Sequence, residues 1–226
     1  MNHNKYYCAL VGSKRFGVDI ERSDTDYVVL VLNVNEKTNK NFTHAQYNEH
    51  NYHYYRNAHF IENLFETENS VNPWYTLGTL FSIPVIETDF SKYLLENREA
   101  LVKSNLRRFG NSLLNHVKII GSRNSCNRAA GKRFLKSNIY AMLLLNAYIN
   151  YAKNEITFEA AFKPSEELIK FIKGIRLGTV SYKDQIEKLN SMLAEAELFK
   201  SFYNKEPDLI TFNKIKSDMK ALLNVN

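Results

Sequence analysis

Cysteine is scarce. Cys8 and Cys126 are the only two in 226 residues, too few and too far apart for a disulfide framework or a zinc cluster. Both are expected to be reduced thiols of a cytoplasmic protein. No run of about 18 apolar residues occurs, so the sequence offers no membrane-spanning helix. The opening "MNHNKYYCALVG" lacks the charged-then-apolar layout of a secretory signal. No internal repeat or low-complexity linker divides the chain. The last absence concerns one sign of charge: between Ala100 and Asn154 there is no aspartate or glutamate.

What is present begins with that same span. It carries ten basic residues: Lys103, Arg107, Arg108, Lys118, Arg123, Arg128, Lys132, Arg133, Lys136 and Lys153. The rest of the chain holds 20 basic against 24 acidic residues, so the net charge of +6 belongs to one segment. A solvated helical face is the plain reading of such a run. A long span with no acid points instead to a polyanion, with Arg107, Arg108, Lys132, Arg133 and Lys136 as candidate nucleic-acid contacts. Apolar residues make up 44% of the chain, enough for a sizeable core.

Periodicity divides the chain into two halves. In residues 1–90, "KYYCALVG" reads as a strand ended by Gly12, "SKRF" as a helical turn capped by Ser13, and "GVDIERSD" as a loop. "DYVVLVLNV" is apolar on both faces, the mark of a central strand in a covered sheet. "EKTNKN" is a polar turn, and the tyrosine-rich "HNYHYYR" is a third strand. Residues 59–65 have helical spacing, "NSVNPW" breaks it, and "WYTLGTLFS" reads as another short helix with Trp74 as a core anchor. "IPVIETDF" is a short strand or a loop. In residues 91–226 the spacing is helical throughout. The stretch 91–121 is one helix or two, and "NRAAGKRFLKSNIYAMLLLNAYINYAKN" is another long helical segment. Three further helices open on serine, aspartate or proline signals, and Gly178 suits a helix stop. The predicted fold is α+β: a mixed sheet with flanking helices, followed by a closely packed helical bundle.

The chemistry gathers in "VGSKRFGVDIERSDTDYVVLVL", residues 11–32. Side chains alternate along a strand, so Asp24 and Asp26 point one way and Thr25 the other. Two carboxylates a few ångströms apart repel unless a cation lies between them, and two hard oxygen ligands suit Mg²⁺. A bare Asp-x-Asp is common and is often only a pair of solvated acids. Here Gly12 closes the preceding strand, and Ser13 offers a hydroxyl and backbone N–H groups at a helix start, a phosphate-binding arrangement. Gly17 permits a close backbone approach. A phosphate cradle beside a metal clamp is what transfer from a nucleoside triphosphate requires.

Those residues carry a resemblance. "GSKRFGVDIERSDTDYVVL" resembles the signature of nucleotidyltransferases of the DNA polymerase β superfamily, with its Gly-Ser pair, a glycine four residues on, and Ser-Asp-x-Asp ahead of an apolar strand. The closest branch is the predicted bacterial and phage nucleotidyltransferases linked to RNA repair. "YYRNAHFIENLF", "FIKGIRLGTVSYKDQIEKLNSMLAEAE" and "EPDLITFNKI" extend the likeness more loosely over most of the chain.

The resemblance implies that Gly12 and Ser13 form the triphosphate-binding turn, with Lys14, Arg15 and Gly17 completing the nucleotide-binding segment. It makes Asp24 and Asp26 the ligands of one or two Mg²⁺ ions. It also implies a third carboxylate on a later strand that helps activate the attacking hydroxyl. At the aligned "HNYHYYR" there is none, and Asn51 and His53 take its candidate positions. His53, on the face of Asn51 and Tyr55, is then the candidate base, with Glu49, Glu87 or Asp89 as loop alternatives. The branch favours a histidine and an arginine in the first long C-terminal helix, where this chain has Ile139 and Met142.

Other features are plainer. His44, His50, His53 and His59 cluster, but His50 and His53 face opposite sides of a strand and no cysteine lies near. Tyr47, Tyr52, Tyr54 and Tyr55 fit base stacking or an amphipathic sheet rim. The expected function is Mg²⁺-dependent transfer of a nucleoside monophosphate from an NTP, ATP for preference, to a hydroxyl. The favoured acceptor is an RNA end, with a protein or small-molecule hydroxyl as alternatives. The competing expectation is a nucleotidyltransferase fold kept as a nucleic-acid- or protein-binding module.

Overall fold

A computed structural model describes residues 5–21, 23–32, 42–66, 76–126, 131–154 and 156–225, and of these the side chains of 5–6, 119–126 and 131–135 are excluded. The expectations for "EKTNKN", "NSVNPW", Trp74 and the side chains of Arg123, Arg128, Lys132 and Arg133 therefore lie outside the described residues.

The fold is α+β, as the periodicity predicts. β1 (Lys5–Val11) runs into a single helical turn, α1 (Gly12–Arg15), and β2 (Thr25–Val31) returns antiparallel beside β1. β3 (Phe42–Tyr47) and β4 (His50–Arg56) form a hairpin, and β4 lies parallel to β2. The strand order is β1-β2-β4-β3. β2 is central, as its two-faced apolar run requires, and Val28, Val29 and Leu30 are each 0% exposed.

β3 is absent from the sequence reading. "FTHAQY" has no aliphatic alternation, and its residues are exposed or half-buried at the sheet edge. Only pairing with β4 makes it a strand. A second correction concerns Ser13. The helical turn starts one residue earlier, with Val11 at the N-cap and no side-chain cap, so Ser13 sits inside the turn.

Alternation sorts the sheet into two faces. Tyr7, Ala9, Val11, Val28, Leu30 and Tyr55 face the helices and join the main core. Cys8, Val29 and Val31 face the other way, packed with Tyr27, Tyr52 and Tyr54. Tyr27 and Tyr52 stack at 5.2 Å between ring centroids, so these tyrosines form a ladder across neighbouring strands.

After β4, α2 (Asn57–Ile61) loosens into a π turn at Glu62–Glu66. The described part of the next helical expectation is α3 (Gly78–Leu80). The ambiguous "IPVIETDF" is chiefly loop, with one bridge from Pro84 to Ala9. α4 (Asp89–Ser104) opens on a reciprocal Thr88–Ser91 capping box. Asn105 separates it from α5 (Leu106–Cys126), so the leucine-rich stretch is two helices. There follow α6 (Gly131–Asn154), α7 (Phe158–Ala161), α8 (Glu166–Leu177), α9 (Tyr182–Glu197), α10 (Lys200–Tyr203) and α11 (Leu209–Leu222). Ser165, Ser181 and Asp208 cap α8, α9 and α11 by accepting from backbone N–H groups, and Gly178 ends α8 at φ +76°.

Residue 90 marks a change of element type and no break in packing. One apolar cluster runs from Tyr7 to Leu223. α4 packs on β1, and α11 comes back to pack on α4 and α2. Polar ties cross the same boundary: Asn57 Nδ2 donates to the Leu223 carbonyl at 2.9 Å, and Arg98 Nη1 donates to the Ser82 carbonyl at 3.3 Å. No described helix is long and apolar enough to cross a membrane.

Candidate functional site

The register puts Asp26 at a three-strand junction. Val11, the last residue of β1, lies opposite Asp26, and Asn51 of β4 lies opposite it on the other side. Asn51 Nδ2 donates to Asp26 Oδ1 at 3.1 Å, and His53 Nε2 stands 3.5 Å from the same oxygen. The other carboxylate oxygen lies against the Gly12 turn. A Cβ on Gly12 would sit 2.4 Å from Asp26 Oδ2, and Gly12 has φ +73°. Steric room and backbone conformation therefore both demand glycine.

Burial pushes the Asp26 carboxyl up. The hydrogen bonds from His53 and Asn51, with the charges of His53 and Lys136, outweigh it and hold the group below the usual carboxylate range. Asp26 is thus a fixed anion at neutral pH. Asp24 stands two residues earlier, exposed, just before β2. His53 is positioned from the far side by β3, with His44 at 5.2 Å and Phe42 stacked at 6.1 Å between ring centroids. The strand that the sequence does not announce thus builds one wall of the site.

The structure distributes the expected nucleotide-binding residues. Ser13 uses its carbonyl to accept from Val18 N at 3.1 Å. Lys14 Nζ donates to Thr25 Oγ1 at 2.6 Å, and Thr25 lies on the face opposite Asp26, so Lys14 is drawn away from the carboxylates. Arg15 turns inward and donates to the Phe81 carbonyl at 2.6 Å. Burial lowers its pKa, and its charged neighbours are Glu159 and Arg98. Gly17 has φ +66° with open space where a Cβ would be, so its role is backbone conformation. Arg176 of α8 donates to the Val18 carbonyl at 3.0 Å and ties the loop after α1 to the helical half.

The described basic side chains of the acid-free segment do not share one surface. Lys136, near the start of α6, is close enough to lower the Asp26 pKa. Arg108 is half-buried and donates to the Leu64 carbonyl at 3.1 Å, so its guanidinium serves the fold. Lys103 pairs with Glu99 at 3.5 Å and Lys153 with Glu195 at 3.2 Å. Arg107 and Lys118 lie on α5 in the lining of a separate cavity. Ile139 and Met142, at the positions where the resembling branch has polar residues, are core residues at 6% and 0% exposure.

Among the described residues no group of three or more His, Cys, Asp or Glu side chains converges on a metal site. The histidines therefore form no such centre. Glu87 is paired with Lys92 at 2.9 Å. Asp24 and Asp26 are two carboxylates near the same end of β2, and hard oxygens of this kind are what Mg²⁺ accepts, with water and phosphate completing its shell. Compared with known proteins, the chain matches no family model and no curated protein.

Proposed function

We propose that this protein is a Mg²⁺-dependent nucleotidyltransferase that moves a nucleoside monophosphate from an NTP, ATP for preference, to a hydroxyl at an RNA end. The observation that carries the reading is Asp26, held ionised between the Gly12 turn and the Asn51–His53 pair of the parallel strand. Asp24 and Asp26 would hold the cation, which when bound neutralises phosphate charge and acidifies a hydroxyl. The turn at Gly12 and Ser13 lies beside them for the triphosphate. Lys136 supplies positive charge from α6. In the reaction the acceptor oxygen bonds to the α-phosphorus, the bond from that phosphorus to the β-phosphate oxygen breaks, and pyrophosphate leaves. His53, oriented by Asp26, takes the hydroxyl proton.

One observation favours a second reading, a binding module. Asn51 stands opposite Asp26 in register and donates to it, where the resemblance leads one to expect a further carboxylate. Incubation with each labelled NTP, Mg²⁺ and total RNA separates the two. Label transfer that Asp26→Asn removes supports the enzyme. Binding of NTP or RNA with no transfer under any NTP supports the module.

A further inference from the structure

A cavity of about 360 Å³ lies between α5, α6 and α10. Arg107, Lys118 and Lys200 line it with the amides of Asn111, Asn115 and Asn204, and no aspartate or glutamate does. Residues 107, 111, 115 and 118 recur at helical spacing, so α5 turns one cationic and amide-bearing stripe to the cavity. Among the described residues Arg107 and Lys118 have no ion-pair partner, while Lys200 pairs with Glu197.

The second observation is independent of charge. Tyr148 lines the same cavity and is 1% exposed, yet among the described residues its buried hydroxyl has no hydrogen-bond partner. Its neighbour Tyr203 stacks on it at 4.1 Å and spends its own hydroxyl on the Tyr148 carbonyl at 2.7 Å. Gly110 makes this stack possible, since a Cβ there would meet Tyr203 Cδ1 at 2.5 Å. A buried hydroxyl without a partner is costly in a folded protein and calls for one. Burial, and secondarily Glu197, raises the Tyr148 pKa to about 12, so it stays a neutral donor.

We propose that this cavity binds a nucleotide-sized organic phosphate, with the phosphate monoester received by Arg107 and the Tyr148 hydroxyl. A phosphate monoester carries close to two negative charges and three acceptor oxygens, which matches cations and donors without acids. A volume of about 360 Å³ falls in the range of small-ligand sites and leaves room for an organic part. The site is separate from the carboxylates. Tyr148 lies twelve residues beyond Lys136 on α6, about 18 Å along the helix axis. Between them residues 141–147 are all buried, so no cationic path along α6 joins the two. The ligand's source is either a free nucleotide or the 5′-phosphate of an RNA.

Calorimetric titration of the full chain tests this with AMP, adenosine, and a short RNA with and without a 5′-phosphate. AMP should bind and adenosine should not. Arg107→Ala and Tyr148→Phe should each weaken AMP about tenfold, while Asp26→Asn should leave its affinity unchanged and so isolates this site from the proposed transfer reaction. Tyr148→Phe removes an oxygen with no partner, so its melting temperature should not fall. If only the 5′-phosphorylated RNA binds, and the same two variants weaken it, the site stands and its ligand is an RNA terminus. Absence of binding by every phosphate monoester at millimolar concentration overturns the proposal, as does AMP binding that neither variant weakens.

Discussion

The two ends of α6 use positive charge in opposite ways. At its start Lys136 faces an acidic site, where Asp26 is already engaged by Asn51 and His53. Toward its other end Tyr148 adjoins a cavity with three basic residues and no acid. Both belong to, or pack against, one acid-free segment that looks uniform in the sequence. Helix geometry separates them: residues twelve positions apart lie about 18 Å apart. A composition bias therefore marks a region of interest without saying how many sites it serves.

The largest expected effect breaks one end only. Asp24→Asn or Asp26→Asn should abolish metal-dependent NTP binding and lower nucleotidyl transfer by at least about 100-fold, measured by calorimetry and label transfer. AMP binding at the α5–α6 cavity should persist. Neither carboxylate belongs to the apolar core, so both variants should also leave the fold intact, which circular dichroism checks.

Two glycines make a matched pair. Gly12→Ala should cost about 1–3 kcal/mol of stability, because it combines a positive φ with a clash on Asp26 Oδ2. Gly110→Ala should cost a similar amount by pushing on the Tyr203 ring. Denaturant melts give the cost, and activity tells the ends apart: the first should lose transfer, the second should lose AMP affinity. Equal loss of both functions in either variant would erase the distinction between the ends.

A smaller effect concerns RNA. If a strand crosses the carboxylate end, Lys136→Gln should reduce the salt dependence of single-stranded RNA binding by about 0.7 log units per log unit of salt. Arg108→Gln should change stability more than RNA affinity, since that guanidinium holds the Leu64 carbonyl.

The smallest effect lies outside both ends. Lys216 first, then Lys220, hold the Glu66 carboxyl below its usual range. A depressed carboxyl contributes stability above its unfolded pKa and loses it as pH falls through the folded value. Glu66→Gln should therefore cost less than about 1 kcal/mol at pH 7 and nothing at pH 2, as read from paired thermal melts.

Much of the fold was legible locally. β1, β2 and β4, the helix caps at Ser165, Ser181 and Asp208, and the stop at Gly178 all follow from short-range chemistry. The break at Asn105 has no local signal, because leucine spacing continues through it. β3 was invisible because an edge strand built from Phe, Thr, His, Ala, Gln and Tyr carries no core pattern. In the site, spacing points to Gly12, Asp24 and Asp26, and the resemblance to Asn51 and His53. The resemblance adds Lys14 and Arg15 to the nucleotide-binding segment, and the structure sends their side chains to Thr25 and Phe81. The cavity around Tyr148 had no sequence signal beyond a stripe of cations and asparagines on α5.

By itself the sequence determined the strand alternation that gives Asn51 and His53 one face of their strand and sets Asp24 and Asp26 on one side of theirs, because side-chain period follows from backbone geometry alone. It also determined the need for glycine after β1 in a turn of that kind. Only the tertiary structure decided that β4 pairs with β2 in the register that sets Asn51 beside Asp26. Only it divided the basic segment between a carboxylate site, a cavity, ion pairs and a buried carbonyl. Register and burial depend on contacts between residues distant in the chain, and no local pattern encodes which of several alike lysines or arginines will find which partner.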